Sequence, residues 1–392
     1  MSQKRILFVS GTRADFGKLK PLIEHVKQSE DFTYSIFATG MHMLERYGLT
    51  VLEIRQAGFD KIFPYRNQDG AVNAQMDLVL ANTIQGLGSY IRDFGPDLIV
   101  VHGDRVETLA GAIAGVLNNV LVAHIEGGEV SGTIDELLRH SVSKLSHLHF
   151  VSNRQARTRL IQMGEAEETI FVIGSPDIDI MLSDRLPSLQ AVQERYEIPF
   201  DRYAVVAYHS VTSELHLLKE HIEQVLDGLQ KVDLNYVVIY PNNDSGADVI
   251  INALDRFRGN PSVRVIPSMR FEYFLVLLKH AQAIVGNSSA GIREAPVYGV
   301  PVVNIGTRQM NRFNHASIVN VLENAAAIRH AMTNLPAGVA SRHFGKGDSA
   351  RRFMVELRRP TLWDTPRQKY FRDLSLPEEL RPARDPEAEA IA

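Results

Sequence analysis

The residues able to do chemistry in this chain gather just after short apolar runs. His102-Gly103-Asp104-Arg105 follows the near-continuous run Asp97–Val101. A carboxylate at the carboxyl end of a buried strand is a candidate reactive group. Asp104 holds that place, and its competing role is an ion pair with Arg105. His124-Ile125-Glu126-Gly127-Gly128-Glu129 follows the run Val120–Ile125. Glu126 reads as an acid or base and Glu129 as structural. The paired glycines would let a substrate approach the backbone closely. His124 with Glu126 does not make a metal site: no third ligand has obvious spacing, and a zinc deaminase pattern needs cysteines that are absent. Asp135 falls in the first turn of the next helix. A structural reading there is a dipole-favourable acid paired with Arg139 at i+4.

A second group of residues suits an anion. Gly11-Thr12-Arg13-Ala14-Asp15-Phe16-Gly17-Lys18 turns from a strand into a helix, whose first turn offers free N–H groups, with Arg13 and Lys18 adding charge. His209 follows Tyr203–Tyr208 and suits phosphate binding or protonation of a leaving oxygen. Gly286-Asn287-Ser288-Ser289-Ala290-Gly291 opens another helix, where hydroxyls and N–H groups fit a diphosphate. Glu294, just inside that helix, suits a ribose diol, and Arg308 suits phosphate or Glu294. His42 follows the second strand. His140, His147 and His149 read as structural.

These positions need strands and helices in alternation to hold them. Arg5–Ser10, Tyr34–Ala38, Asp97–Val101, Val120–Ile125 and His149–Ser152 read as strands, with helices at Val106–Leu117 and Thr133–His149. Thr133 and Glu136 have capping-box spacing. Apolar Leu87, Tyr90, Ile91 and Phe94 would face a core or a partner. After a proline-marked crossover at Gly174–Asp201, strands recur at Tyr203–Tyr208, Tyr236–Tyr240, Val263–Ile266, Ala283–Val285 and Val302–Ile305. The expected fold is α/β, with two Rossmann-like, doubly wound domains facing a cleft, at 1–173 and 174–362. The charged, alanine-rich segment 377–392 reads as a disordered tail.

Composition narrows the class. Among 392 residues, 42 Lys and Arg face 46 Asp and Glu, a net charge of −4. A broad basic face for nucleic acid is therefore not expected. With no cysteine, disulfides, thiolate metal sites and a Cys nucleophile are excluded. No run approaches the ~20 apolar residues of a spanning helix. A soluble, cytoplasmic protein without cofactor or metal is expected.

The segments GTRADFGKLKPL, GMHM, HGDR, HIEGGEVSGTIDE, GNSSAGIREAP and GTRQ resemble one family. They are similar to the hydrolysing UDP-N-acetylglucosamine 2-epimerases of bacterial sialic acid synthesis, and the resemblance runs from Arg5 to about Leu376. It implies a GT-B arrangement, with a C-terminal helix at about Trp363–Leu374 packing back on the first domain, and a homodimer or homotetramer. It implies acid/base carboxylates at Asp104, Glu126 and Asp135 and an active-site histidine at His209. It places diphosphate at Ser288 and Ser289, ribose at Glu294, phosphate-facing arginines at Arg13, Arg105 and Arg308, and a sugar-pocket histidine at His42. One departure stands out: Ser210 follows His209 where the family often has proline.

The implied reaction explains the carboxylates. The C2 proton of UDP-N-acetylglucosamine is barely acidic, so elimination of UDP accompanies its removal. Water then adds at C1 of the 2-acetamidoglucal while a proton returns to the other face of C2. Two faces require at least two acid/base groups. The alternatives are the same reaction on UDP-2,4-diacetamido-2,4,6-trideoxyglucose, a non-hydrolysing epimerase, and a GT-B glycosyltransferase or UDP-sugar sensor.

Overall fold

Val, Ile and Leu runs buried on both faces build two parallel sheets. The computed structural model describes residues 3–69, 75–131, 134–242 and 244–374. The first sheet contains β1 (Lys4–Ser10), β2 (Phe32–Ala38), β3 (Ile62–Pro64), β4 (Leu98–His102), β5 (Leu121–Ile125), β6 (Leu148–Val151) and β7 (Ile170–Val172). Their order is β3-β2-β1-β4-β5-β6-β7. The second contains β8 (Tyr203–Ala207), β9 (Asn235–Ile239), β10 (Val263–Ile266), β11 (Ile284–Gly286), β12 (Val302–Ile305) and β13 (Ile318–Val321), in the order β10-β9-β8-β11-β12-β13.

Strand order reverses between β1 and β4 and again between β8 and β11. Ligands of doubly wound sheets bind outside the carboxyl ends of the strands at such points. The loops after these four strands carry Arg13, Asp104, His209 and Ser288. Topology therefore brings four separate sequence segments to two facing crevices.

Leu87 and Ile91 of the helix Met76–Phe94 are buried in the first domain, against the helix Val106–Leu117. They face a core and not a partner. Near the crossover the chain passes between the domains twice, side by side: Ser175 N–H donates to the Phe344 carbonyl at 2.7 Å. The second crossing leads to the helix Ser349–Leu357, whose Ala350, Phe353, Met354 and Leu357 enter the core of the first domain. The Phe353 ring meets Phe150 edge-on at 4.7 Å.

The helix expected at 363–374 does not form. A short helix, Pro360–Trp363, ends where the segment was to begin. Pro366 explains this, because it disfavours helical backbone at the preceding residue and supplies no N–H. The segment is instead fastened by Lys369, which donates to the Lys144 and Ser146 carbonyls and to Glu165. Thr133 and the tail expected at 377–392 lie outside the described residues. Among the described residues, no helix is long and apolar enough to cross a membrane.

Candidate active site

The turn after β1 is closed by the chain's own anion. Asp15 accepts from the Gly11 N–H at 2.9 Å and from the Thr12 N–H at 3.1 Å, while Thr12 caps the helix Arg13–Lys27 in return. The N–H groups of Gly11 and Thr12, just ahead of the helix, are thus already used by the chain itself. Thr12→Ala should cost about 1 kcal/mol of stability, read as a lower urea midpoint. Arg13 is also engaged, gripping Glu53 through two nitrogens and reaching Ser268 of the second domain.

Lys18, one turn further along, is largely covered, its side chain 11% exposed where the two domains meet. It lies 3.2 Å from Asp177, 3.6 Å from Glu126 and 3.6 Å from Glu294. It meets three carboxylates. Burial and Arg293 work against its charge, but Asp177, Glu126 and Glu294 outweigh them and raise its pKa.

Glu126 sits at the end of β5 with a left-handed backbone, φ +63°. That conformation is uncommon for a non-glycine residue and turns the side chain toward the second domain. Its carboxylate accepts from Ser175, from Arg293 at 2.5 Å and from His102 at 3.1 Å. Burial alone would raise its pKa. Arg293, Lys18 and His102 together hold it well below the ordinary carboxylate range. Arg293 also pairs with Glu129, which Arg312 approaches at 3.7 Å. A chain of alternating buried charges therefore links the domains.

The glycines after Glu126 are also required by packing. A Cβ on Gly127 would meet the His124 ring at 2.8 Å and Ser143 at 2.9 Å. On Gly128 it would strike the Ala156 carbonyl. Both are small because neighbouring helices press on this turn. His124 is wholly buried, with one ring nitrogen on Ser143 and the other on the Gly103 carbonyl, so it ties the loop after β4 to the helix Ile134–Leu145.

Asp104 and Asp135 are the more open carboxylates, with side chains 25% and 36% exposed. Arg139 pairs with Asp104, not with Asp135 as i+4 spacing suggested, and Arg105 is not Asp104's ion-pair partner among the described residues. Arg105 lies 3.6 Å from Glu107. Asp135 faces Arg308 of the second domain at 3.8 Å. Arg308 donates to the Asn287 carbonyl at 3.3 Å, tying the loop after β12 to the loop after β11. It does not pair with Glu294.

On the second domain, Asn287 grips His209 through its backbone: the His209 N–H donates to Asn287 Oδ1 at 2.7 Å and the His209 carbonyl accepts at 2.8 Å. The Asn242 N–H donates to His209 Nδ1 at 3.1 Å, which leaves the ring proton on Nε2. Burial first, and Arg308 second, push this ring down to about 3, so it is neutral. Ser288 caps the short helix Ser289–Arg293 by accepting from Ala290 N–H. Gly291 lets that helix rest against Val302. Glu294 is buried; burial pushes it up to about 7, with Lys18 pulling down and Asp177 adding to the push.

His42 is fully buried, with Nε2 2.9 Å from Ser10 and Nδ1 2.6 Å from Thr50. It supports the loop after β1 and shows no surface to the cleft. Burial brings it down to about 4, and His124 to about 3. Unfolded, all three histidines titrate near 6.5. The unfolded chain therefore takes up more protons below that pH, and stability present above about 6.5 is lost as pH falls toward 4. Glu294 acts in the opposite sense up to about 7, one group against three. The thermal midpoint is expected to drop between about pH 6.5 and 5; a flat midpoint over that range contradicts the neutral buried rings.

The family model described as UDP-N-acetylglucosamine 2-epimerase matches residues 24–358. A UDP-N-acetylglucosamine 2-epimerase of Neisseria meningitidis serogroup B is 45% identical, over 95% of this chain and 100% of its own. The chain belongs to the UDP-N-acetylglucosamine 2-epimerase family. A second family relative, the hydrolyzing UDP-N,N'-diacetylbacillosamine 2-epimerase of Legionella pneumophila, is 35% identical over 89% of this chain and 94% of its own. The crystal structure of a UDP-GlcNAc 2-epimerase from Methanocaldococcus jannaschii in complex with UDP-GlcNAc and UDP has the same fold: TM-score 0.78, 20% identity, 90% of this chain and 99% of that one.

Sequence reading of this epimerase-family site missed Arg293 and Asp177, and gave Arg139 a different partner from Asp104. Arg293 lies inside the noticed segment GNSSAGIREAP, yet a five-residue helix gives no periodicity to show which way it points. Asp177 was hidden by the crossover, where no strand end drew attention to it.

Proposed function

We propose that this protein is a hydrolysing epimerase that converts UDP-N-acetylglucosamine and water into N-acetylmannosamine and UDP. The observation that carries the reading is the meeting of Asp135 with Arg308 across the cleft at 3.8 Å, beside the Asp104–Arg139 pair. Proton-transfer groups on one domain thus face an anion-binding side chain on the other. The names of relatives at 35% and 31% identity include the word hydrolyzing, which supports the hydrolytic outcome.

Binding of the UDP moiety falls to Ser288, Ser289, Glu294 and Arg308, with Arg13 and Arg105 reaching from the first domain. As the C1–O bond breaks, charge grows on the diphosphate. Arg308 and the Nε2–H of neutral His209 stabilise it, at roughly a few kcal/mol for a well-placed donor. His209 acts as a donor here, since an imidazolium is not maintained at that site. Asp104 and Asp135 keep exposed surface and take the two proton transfers at C2. Glu126, ionised and gripped by four donors, keeps Lys18 and Arg293 in place and so orients the floor beneath the sugar. Ser210, where the family often has proline, is buried, and the aim of His209 is kept by Asn287 and Asn242. The same reading carries the expectation of a cytoplasmic homodimer or homotetramer.

A second reading, the same reaction on UDP-N,N'-diacetylbacillosamine, is favoured by the names of two relatives. One experiment addresses both. A proton NMR time course in D2O, without added metal or acceptor, should show UDP and free N-acetylmannosamine deuterated at C2. UDP-N-acetylmannosamine without free sugar would establish the non-hydrolysing reaction. No change with this substrate, but turnover of the diacetamido sugar, would move the assignment to the second reading.

A further inference from the structure

Behind the anion-binding loops of the second domain lies a cluster that this reaction does not use. Glu214 comes from the loop after β8, His221 from the first turns of the helix Leu218–Gln230, and Glu323 from the end of β13. One ligand atom from each lies within 4.8 Å of the others. The Glu323 side chain is 7% exposed and that of His221 18%. His221 Nδ1 lies 3.7 Å from Glu323 Oε1.

The charges here are not balanced by the usual means. Among the described residues, neither Glu214 nor Glu323 has a Lys or Arg ion-pair partner. Besides His221, they meet neutral donors: Thr307 donates to Glu214 at 2.6 Å and Tyr208 to Glu323 at 3.2 Å. Burial and the two carboxylates push the Tyr208 hydroxyl up, so it remains a donor. Elsewhere in this protein buried carboxylates meet guanidinium or ammonium groups, as Glu126 and Glu129 do. Two neighbouring, half-buried carboxylates with only His221 beside them concentrate negative charge where a cation would be attracted.

The backbone makes room for the arrangement. Gly306 has φ +73°, and a Cβ there would run into the Glu323 carboxylate. The glycine therefore serves the cluster sterically as well as conformationally.

We propose that Glu214, His221 and Glu323 bind a first-row divalent cation, of the zinc, cobalt or manganese class. One imidazole and two carboxylates suit these ions, and three protein ligands leave room for water. Ligand bonds of about 2.0–2.2 Å set neighbouring ligand atoms about 3.4 Å apart, a modest contraction from the present spacing. The role that follows is positioning. The cation ties the loop bearing His209 to the loop bearing Arg308 through Glu214, whose carboxylate already holds Thr307. No step of the reaction passes through it. The inference is independent of which sugar is turned over.

The test is titration of the chelator-treated protein with Co2+ alone, followed by visible absorption and calorimetry, for wild type, Glu323→Gln and His221→Ala. One saturable equivalent with d–d bands is expected in wild type, weakened at least tenfold in each variant. Circular dichroism melts establish that the variants are folded; if Glu323→Gln fails this check, His221→Ala decides. Absence of saturable binding in wild type overturns the proposal. Equal binding in wild type and folded variants also overturns it, since the ion then lies elsewhere.

Discussion

Asp104→Asn is expected to lower turnover of UDP-N-acetylglucosamine by about 10²–10⁴-fold, the usual contribution of a positioned acid or base. UDP affinity should change by less than about threefold, within the scatter of substitutions that touch no ligand group. The split arises because Asp104 stands at the end of β4 in the first domain, while the UDP-binding groups belong mainly to the second. Its carboxylate is paired with Arg139 alone among the salt bridges of the described residues. Asparagine keeps the shape and removes the proton acceptor. Steady-state rates and calorimetric titration with UDP measure the two quantities separately. A wild-type rate in the variant would remove Asp104 from the chemistry; a large loss of UDP affinity would make it a binding residue.

Arg293→Met is expected to be the most destabilising single change at the cleft. Arg293 is buried and bonds Glu126, Glu129 and Ser175 at once. It also stacks over Phe344, with 4.8 Å from guanidinium to ring centroid. Removing one partner of a buried ion pair costs about 3–5 kcal/mol, because the other charges remain in place. At about 2–4 °C per kcal/mol, the thermal midpoint should fall by roughly 6–20 °C. The loss also frees Glu126, whose pKa then rises for want of its strongest neighbour. Scanning calorimetry reads the first effect. A midpoint within a degree of wild type would mean that the interdomain charges are replaceable by water and solvent ions.

The long, doubly buried strands were legible in the sequence because their apolar runs are nearly unbroken. β10 and β12 match the expected ranges residue for residue, and β1, β2, β4, β5, β6, β8, β9 and β11 lie within two residues at either end. The strands that escaped notice were β3, β7 and β13, all at sheet edges. Edge strands are short and covered on fewer sides, so a three- or four-residue run such as Ile170–Val172 carries little pattern. The missing C-terminal helix had a local cause in Pro366, whereas the return of the chain to the first domain came from Phe353 and its neighbours a little earlier.

Sequence alone determined the fold class, the family resemblance and the positions after strands where chemistry gathers. Those follow from local periodicity, which backbone geometry converts directly into strands, helices and the loops between them. Tertiary structure decided how the charged side chains pair. Lys18 meets carboxylates from both domains, Arg139 reaches Asp104, and Arg308 reaches Asp135. Pairing depends on distance and burial between separate segments of the chain, and spacing along it carries no trace of the outcome. The Glu214–His221–Glu323 cluster has the same origin: two strand ends and a helix bring its members together, and nothing in their separation along the sequence announces it.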